Sequence, residues 1–430
     1  MYRFTSAHDA TDAPSATILS ALPTIVVAGL GYFVDLFDLL LFSVVRRSSL
    51  TALGSGSRLL EDGAWVQNAQ LVGLMIGGIA WGIIGDKRGR RTVLFGSILM
   101  YSVATFANAF VTSVPQYALL RFVAGIGLAG ELGAALTLVS ELVRASQRGT
   151  ATALVATLGV LGAVTAALVG DLLDWRWAYA VGGLMGFALL GLRLGVREST
   201  LFTRASAQPG ASSRGRLRTL FATPERIGRY VKAVVIGIPI WYAVPILVTF
   251  APEVAQAVGV REPVSAGQAV LWFYAFTSLG DVSSGLLSQW WHSRRAAVAV
   301  FLAILTVAVA MLLSGVAETA RGYLMLVGLL GFGSGYWAVM ITMAVEQFGT
   351  NVRATVGTSV PTFVRASGVV ITMLFLSLRD ASSINALSSG RPVALAAAIA
   401  GGICVLSAAW ALATTRETYG RDLRFTEELA

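Results

Sequence analysis

Charge is scarce in this chain. Asp, Glu, Lys and Arg together make up 13% of its 430 residues, about half the share a water-soluble domain carries. That excludes an ordinary soluble protein. Cysteine is nearly absent: Cys404 stands alone, so neither an internal disulfide nor a cysteine metal site is possible. The two histidines, His8 and His292, cannot build a histidine metal cluster. A histidine-based triad and a phosphate-binding glycine loop are missing too. The chemistry expected is therefore not enzymatic, with neither cofactor nor metal. The first residues lack the basic region and cleavage site of a signal peptide, so the first apolar segment is expected to be retained.

Apolar residues are abundant, at 56%, with a mean hydropathy of +0.72. A membrane-crossing helix needs about 20 of them in succession. Twelve such runs are legible: 23–45, 65–84, 92–111, 116–142, 150–170, 177–194, 232–253, 267–290, 296–316, 322–345, 355–378 and 392–413. They fall six and six about a polar, arginine-rich stretch. The expected domains are a tail (1–22), a first six-helix bundle (23–197), a linker (198–231), a second bundle (232–416) and a tail (417–430). The net charge of +9 would suit nucleic acid, but its placement gives a better account. With both termini cytoplasmic, 22 of the 32 cations lie on that side, 8 on the other, and Arg121 and Arg365 inside spans. Cytoplasmic loops retain such an excess. The expectation is a multi-pass, monomeric protein of a bacterial inner membrane, with the bilayer and no nucleic acid as its surroundings.

The densest signal joins the second and third runs. Gly82, Asp86, Lys87, Gly89, Arg90 and Arg91 follow the pattern G-x-x-x-D-[RK]-x-G-R-[RK]. This resembles the loop between helices 2 and 3 of the major facilitator superfamily. Other stretches are similar to its metabolite:proton symporters and sugar porters. They include Gly31 to Asp38, the run Arg121, Gly125, Gly127, Gly130 and Glu131, the tail from Arg416 to Leu423, and Glu141-(x6)-Arg148. The last recurs as Glu346-(x6)-Arg353, 205 residues on, a weak internal repeat. The resemblance implies an all-α membrane protein of twelve helices in two pseudo-symmetric bundles, working by alternating access. It also implies that Asp86, Arg90, Arg91, Glu141, Arg148, Glu346 and Arg353 latch the cytoplasmic ends of the bundles. The Gly-Pro signature of antiporters is missing from the fifth run.

Ionisable residues inside a bilayer are costly unless paired or facing water. Asp35 and Asp38 lie three apart on one helical face. Two close carboxylates in a low-dielectric site do not both ionise easily, as a proton carrier requires. By resemblance, Asp38 is the proton-carrying aspartate and Arg121 its counter-ion; a fixed structural pair is the alternative. Glu131, about 15 Å beyond Arg121 along the helix, faces the cavity or closes a hydrogen-bond network. Arg365 follows Pro361 in the eleventh run and suggests an anion site, because guanidinium grips carboxylates in pairs of bonds. Its alternative partner is Asp281 in the eighth run. Trp241, Tyr242, Trp337, Gln67 and Gln70 are further candidates for the cavity, against core packing or an interfacial position. The function expected is proton-coupled symport of a small polar or anionic, carboxylate-bearing metabolite. Two alternatives stand beside it: export or facilitated passage of an organic acid, and a non-transporting receptor or lipid scramblase.

Overall fold

The structure is a computed structural model that describes residues 18–88, 90–129, 148–193, 220–381, 384, 391–420 and 427. Among these, every regular element is helical. The first half contributes α1 (Ile18–Ala52), α2 (Leu59–Arg88), α3 (Arg90–Asn108), α4 (Val114–Leu128), α5 (Arg148–Leu172) and α6 (Trp175–Leu192). The second contributes α7 (Pro224–Tyr242), α8 (Ala251–Val258), α9 (Ala266–Trp290), α10 (Arg294–Leu313), α11 (Ala320–Ser334), α12 (Trp337–Glu346), α13 (Thr350–Asp380) and α14 (Pro392–Ala413). Each run of the sequence has its helix among the described residues, the fourth only as far as Leu128. The seventh is divided into α7 and α8 by a wide π turn at Ala243–Val248, which holds Pro245. A proline inside a helix removes a donor and disturbs the turn before it. The tenth is divided into α11 and α12 at Gly335 and Tyr336.

Polar residues between the apolar runs punctuate the chain. Thr223, Ser265, Ser293 and Thr319 each accept a backbone N–H at a helix start, and Asp174 does the same for α6. Such caps satisfy donors that a helix start leaves open. Burial is inverted relative to a soluble protein. Leu119, Trp177, Leu286, Val370, Leu406 and Trp410 are exposed, while Asp35, Asp38, Arg46 and Arg121 are almost wholly buried. Apolar surface outward and charge inward is the arrangement a lipid solvent imposes. Six helical stretches, from Ala21–Ala52 to Pro392–Ala413, are long and apolar enough to cross a membrane, with shorter apolar helices between them.

Two glycine contacts make the internal repeat visible. A Cβ on Gly125 of α4 would collide with the carbonyl of Gln70 on α2, and one on Gly331 of α11 with that of Phe273 on α9. Spans 2 and 4 thus meet backbone to backbone, as do spans 8 and 10. Close approach through small residues is how helices associate without a hydrophobic drive. The halves meet along α1, α2 and α5 on one side and α9, α13 and the π turn on the other.

Candidate functional site

Helix α1 carries the two carboxylates, and the fold sends them to different partners. Asp38 is held inside the first half. Arg121 of α4 donates to its Oδ1 at 3.0 Å and to its backbone carbonyl at 2.8 Å. The Thr105 hydroxyl of α3 donates to the same Oδ1 at 2.6 Å. Arg121 is 0% exposed, so the pair stands in a low-dielectric interior where separating it is expensive. Its guanidinium carbon lies 5.5 Å from the centroid of the Tyr179 ring.

Asp35 faces the second half. Arg365 of α13 brings Nη1 to 3.6 Å from its Oδ2, an ion pair looser than a hydrogen bond. Around Arg365 stand Trp241, with its ring centroid 6.0 Å from the guanidinium carbon, and Tyr32 and Tyr274. Three aromatic rings, one cation and one carboxylate form a candidate site between the halves, fed by α1, α7, α9 and α13. Sequence reasoning did not place Tyr32, inside the Gly31 to Asp38 stretch, or Tyr274, an aromatic of the eighth run, at this site. Their approach to Arg365 exists only in the folded chain.

Several expectations need correction. Arg365 does not take Asp281 as its partner. Asp281 accepts the backbone N–H of Ala338 at 3.3 Å, and that of Trp337, at the start of α12. The break before α12 leaves helix-start donors open, and Asp281 answers them. That places Trp337 at the broken turn. Asp35 and Asp38 turn to different arginines, Arg365 and Arg121. Tyr242 points away from Trp241 and from the site. Its hydroxyl donates to the Ala397 carbonyl of α14 at 2.7 Å, because neighbours in a helix face different sides. Among the described residues, Glu346 makes no bridge to the first bundle. It binds Arg294 and Thr418, both in its own half or tail, and Arg353 donates to the Val345 and Phe348 carbonyls. Gln70 is buried against α4. The side chains of Asp86, Arg90, Arg91 and Arg148, and the whole of Glu131 and Glu141, lie outside the described residues.

At the end of the molecule opposite the termini, the halves are tied together. Arg46, at the last turns of α1, donates to Glu253 of α8 at 2.6 Å and to the Leu59 carbonyl, and lies 4.6 Å from the Phe250 ring centroid. Arg379 of α13 meets Glu61 of α2 at 2.7 Å. Ser43 and Gln67 both reach the Thr249 hydroxyl, and Ser265 donates to Asp171. Sequence reasoning counted Arg46 among loop cations. It is instead 0% exposed, since α1 runs several residues past its apolar run.

At the opposite end, the tail is fixed to the second half. Glu417 accepts from the Ser293 hydroxyl and from the backbone N–H groups of Arg294 and Arg295 at the start of α10. Burial pushes its carboxyl up. The Ser293 hydroxyl and the N–H groups of Tyr419, Arg294 and Thr418 outweigh that and bring it down to about 2. Glu427 meets Arg226 and Arg229 of α7.

Two pseudo-equivalent helical halves packed around buried ion pairs have the architecture of a membrane transporter. The Major Facilitator Superfamily profile matches residues 30–373, and the chain belongs to that superfamily. The putative niacin/nicotinamide transporter NiaP of Bacillus subtilis (strain 168) is 27% identical, over 80% of this chain and 85% of that protein. The 3-(3-hydroxy-phenyl)propionate transporter of Escherichia coli (strain K12) is also 27% identical, over 69% of this chain and 72% of its own. A D-xylose-proton symporter has the same fold at a TM-score of 0.72 and 17% identity, covering 94% of this chain and 99% of its own.

Proposed function

We propose that this transporter carries a small carboxylate-bearing metabolite, with an aromatic ring, together with protons across a bacterial inner membrane. The observation that carries the reading is the loose pair between Arg365 and Asp35. At 3.6 Å it lacks a direct hydrogen bond, so a substrate carboxylate can take Arg365 by offering two. A flat ring then has Trp241, Tyr274 and Tyr32 to lie against. The niacin and hydroxyphenylpropionate named for the two relatives are aromatic acids, which supports this choice of solute.

Proton coupling follows from where the charges stand. A substrate carboxylate that displaces Asp35 leaves that acid buried among aromatic rings. A proton taken up there lowers the cost of burying its charge. Asp38 and Arg121 in the first half provide the second exchange: a proton on Asp38 weakens its grip on Arg121 and frees α1 to move against α4. One proton crossing 100 mV contributes roughly 2.3 kcal/mol, enough for about a fifty-fold gradient. On this reading, with both termini cytoplasmic, the tied end is the outer one.

The test is thermal stabilisation of the purified protein by nicotinate, benzoate and 3-phenylpropionate at pH 5.5 and 7.5. Their uncharged amides serve as controls. The acids should stabilise wild type and leave Arg365→Ala unmoved. Equal stabilisation of both proteins would remove Arg365 from the site. Proton movement recorded in proteoliposomes on adding the stabilising acid separates symport from simple passage, and its sign gives the direction.

A further inference from the structure

We propose that Tyr179 is the second seat of the Arg121 cation, holding the guanidinium while Asp38 carries the proton. This inference rests on the proton-coupled reading. The difficulty it resolves is physical. Arg121 stays charged at any pH a cell meets, and it is 0% exposed. Once Asp38 is neutral, that charge is buried with no carboxylate beside it among the described residues, which is costly. A carrier that paid this in full would hardly protonate. Something fixed beside Arg121 must accept the cation.

The geometry points to the Tyr179 ring. Its centroid is 5.5 Å from the guanidinium carbon in the paired state, within the range of a cation–π contact and on a face that bears no proton of its own. The ring is held there from two sides. Gly182, Gly183 and Gly186 let α6 press against Phe37 of α1 and against Phe106 and Ser102 of α3. The Tyr179 hydroxyl is hydrogen-bonded to that of Tyr117 at 2.5 Å, and the two rings stand edge to face. Tyr117 is in turn edge-on to Phe42. The guanidinium also keeps its bond to the Asp38 backbone carbonyl at 2.8 Å, which protonation of the side chain leaves intact. Arg121 can thus pivot from carboxylate to ring while anchored at one nitrogen.

Among the described residues, the ionisable groups around Arg121 are Asp38 of α1, Tyr179 of α6 and Tyr117 of α4. α3 adds the Thr105 hydroxyl and the buried Tyr101, and carries no charged residue between Thr92 and Asn108. α2 carries none between Gly63 and Gly85. Asp35, one turn away on α1, is directed to Arg365. Tyr179 therefore acts as a positioning residue for proton exchange and touches no substrate.

The experiment reads Asp38 directly and needs no substrate. The infrared carboxyl band of protonated Asp38 is followed against pH in the purified full chain, and Asp38→Asn identifies the band. Tyr179→Phe keeps the ring face and should leave the midpoint within about 0.3 pH unit of wild type. Tyr179→Leu removes the face and should move the midpoint to more acid pH by about one unit, since a desolvated cation–π contact is worth about one to two units. Should Tyr179→Leu fail to fold, 3,4,5-trifluorophenylalanine at position 179 drains the ring face at nearly constant shape. It should then be compared with phenylalanine there, with the same acid shift expected. An unmoved midpoint in either variant overturns the role of Tyr179 and leaves proton coupling standing. A wild-type band that never titrates between pH 4 and 10 overturns both.

Discussion

Glu253→Gln should open the tied end of the molecule. Arg46 is fully buried, and Glu253 is its acidic partner at 2.6 Å. Removing one member of a buried pair costs about 3–5 kcal/mol, because the remaining charge is left uncompensated. Part of that is kept here. Arg46 retains the Leu59 carbonyl and the Phe250 ring, and a glutamine oxygen still accepts one hydrogen bond. Those contacts hold back about 1–2 kcal/mol. The closed state therefore loses about 2–3 kcal/mol relative to a state in which Arg46 reaches water. That shifts the ratio of closed to open by roughly thirty- to a hundred-and-fifty-fold. The sequence makes the assay simple. Cys404 is the sole cysteine and is buried, so a cysteine placed at Ser43, which bonds Thr249 in the closed state, is labelled against a low background. Maleimide should reach Ser43→Cys slowly in the otherwise wild-type protein and at least ten times faster with Glu253→Gln. Equal rates would show that the Arg46–Glu253 pair does not hold this end shut.

Two further outcomes follow from the contacts. Asp38→Asn keeps a side chain that Thr105 and Arg121 can still bond, but it cannot gain or lose a proton. Reconstituted protein should exchange nicotinate across the membrane and fail to accumulate it against a pH gradient; accumulation equal to wild type would exclude Asp38 from coupling. Glu417 concerns stability. Its carboxyl titrates near 2 in the folded protein against an ordinary 4.5, so its contribution is complete above about pH 4.5 and is lost as pH falls toward 2. Glu417→Gln should therefore unfold more readily than wild type at neutral pH, by less than about 1 kcal/mol given its exposure. The difference in thermal midpoint should narrow below pH 4.5, and one that grows on acidification would reverse the sign.

The membrane spans were legible because hydrocarbon length and helical rise leave little choice: an apolar run bounded by caps and cations has one solution. The break at Gly335 was not legible, since it depends on how Gly335 meets Gly280 of α9. The pairing of Arg121 with Asp38 could be inferred from a family motif. The partner of Arg365 could not. Asp35 and Asp281 were equal in type, and only the fold gives one to the arginine and the other to the start of α12. Tyr242 misled for a related reason, because adjacent aromatics at a helix crossing serve different neighbours. The Arg46 latch was hidden by a boundary. A cation just past an apolar run reads as loop until α1 is seen to continue through it.

Asp35 and Asp38 are only three residues apart, about 4.5 Å of rise on one rigid helix, yet each is gripped by the opposite half from its neighbour. α1 is therefore a shaft with two teeth in two different gears. A slide or twist that disengages one tooth must carry the other with it.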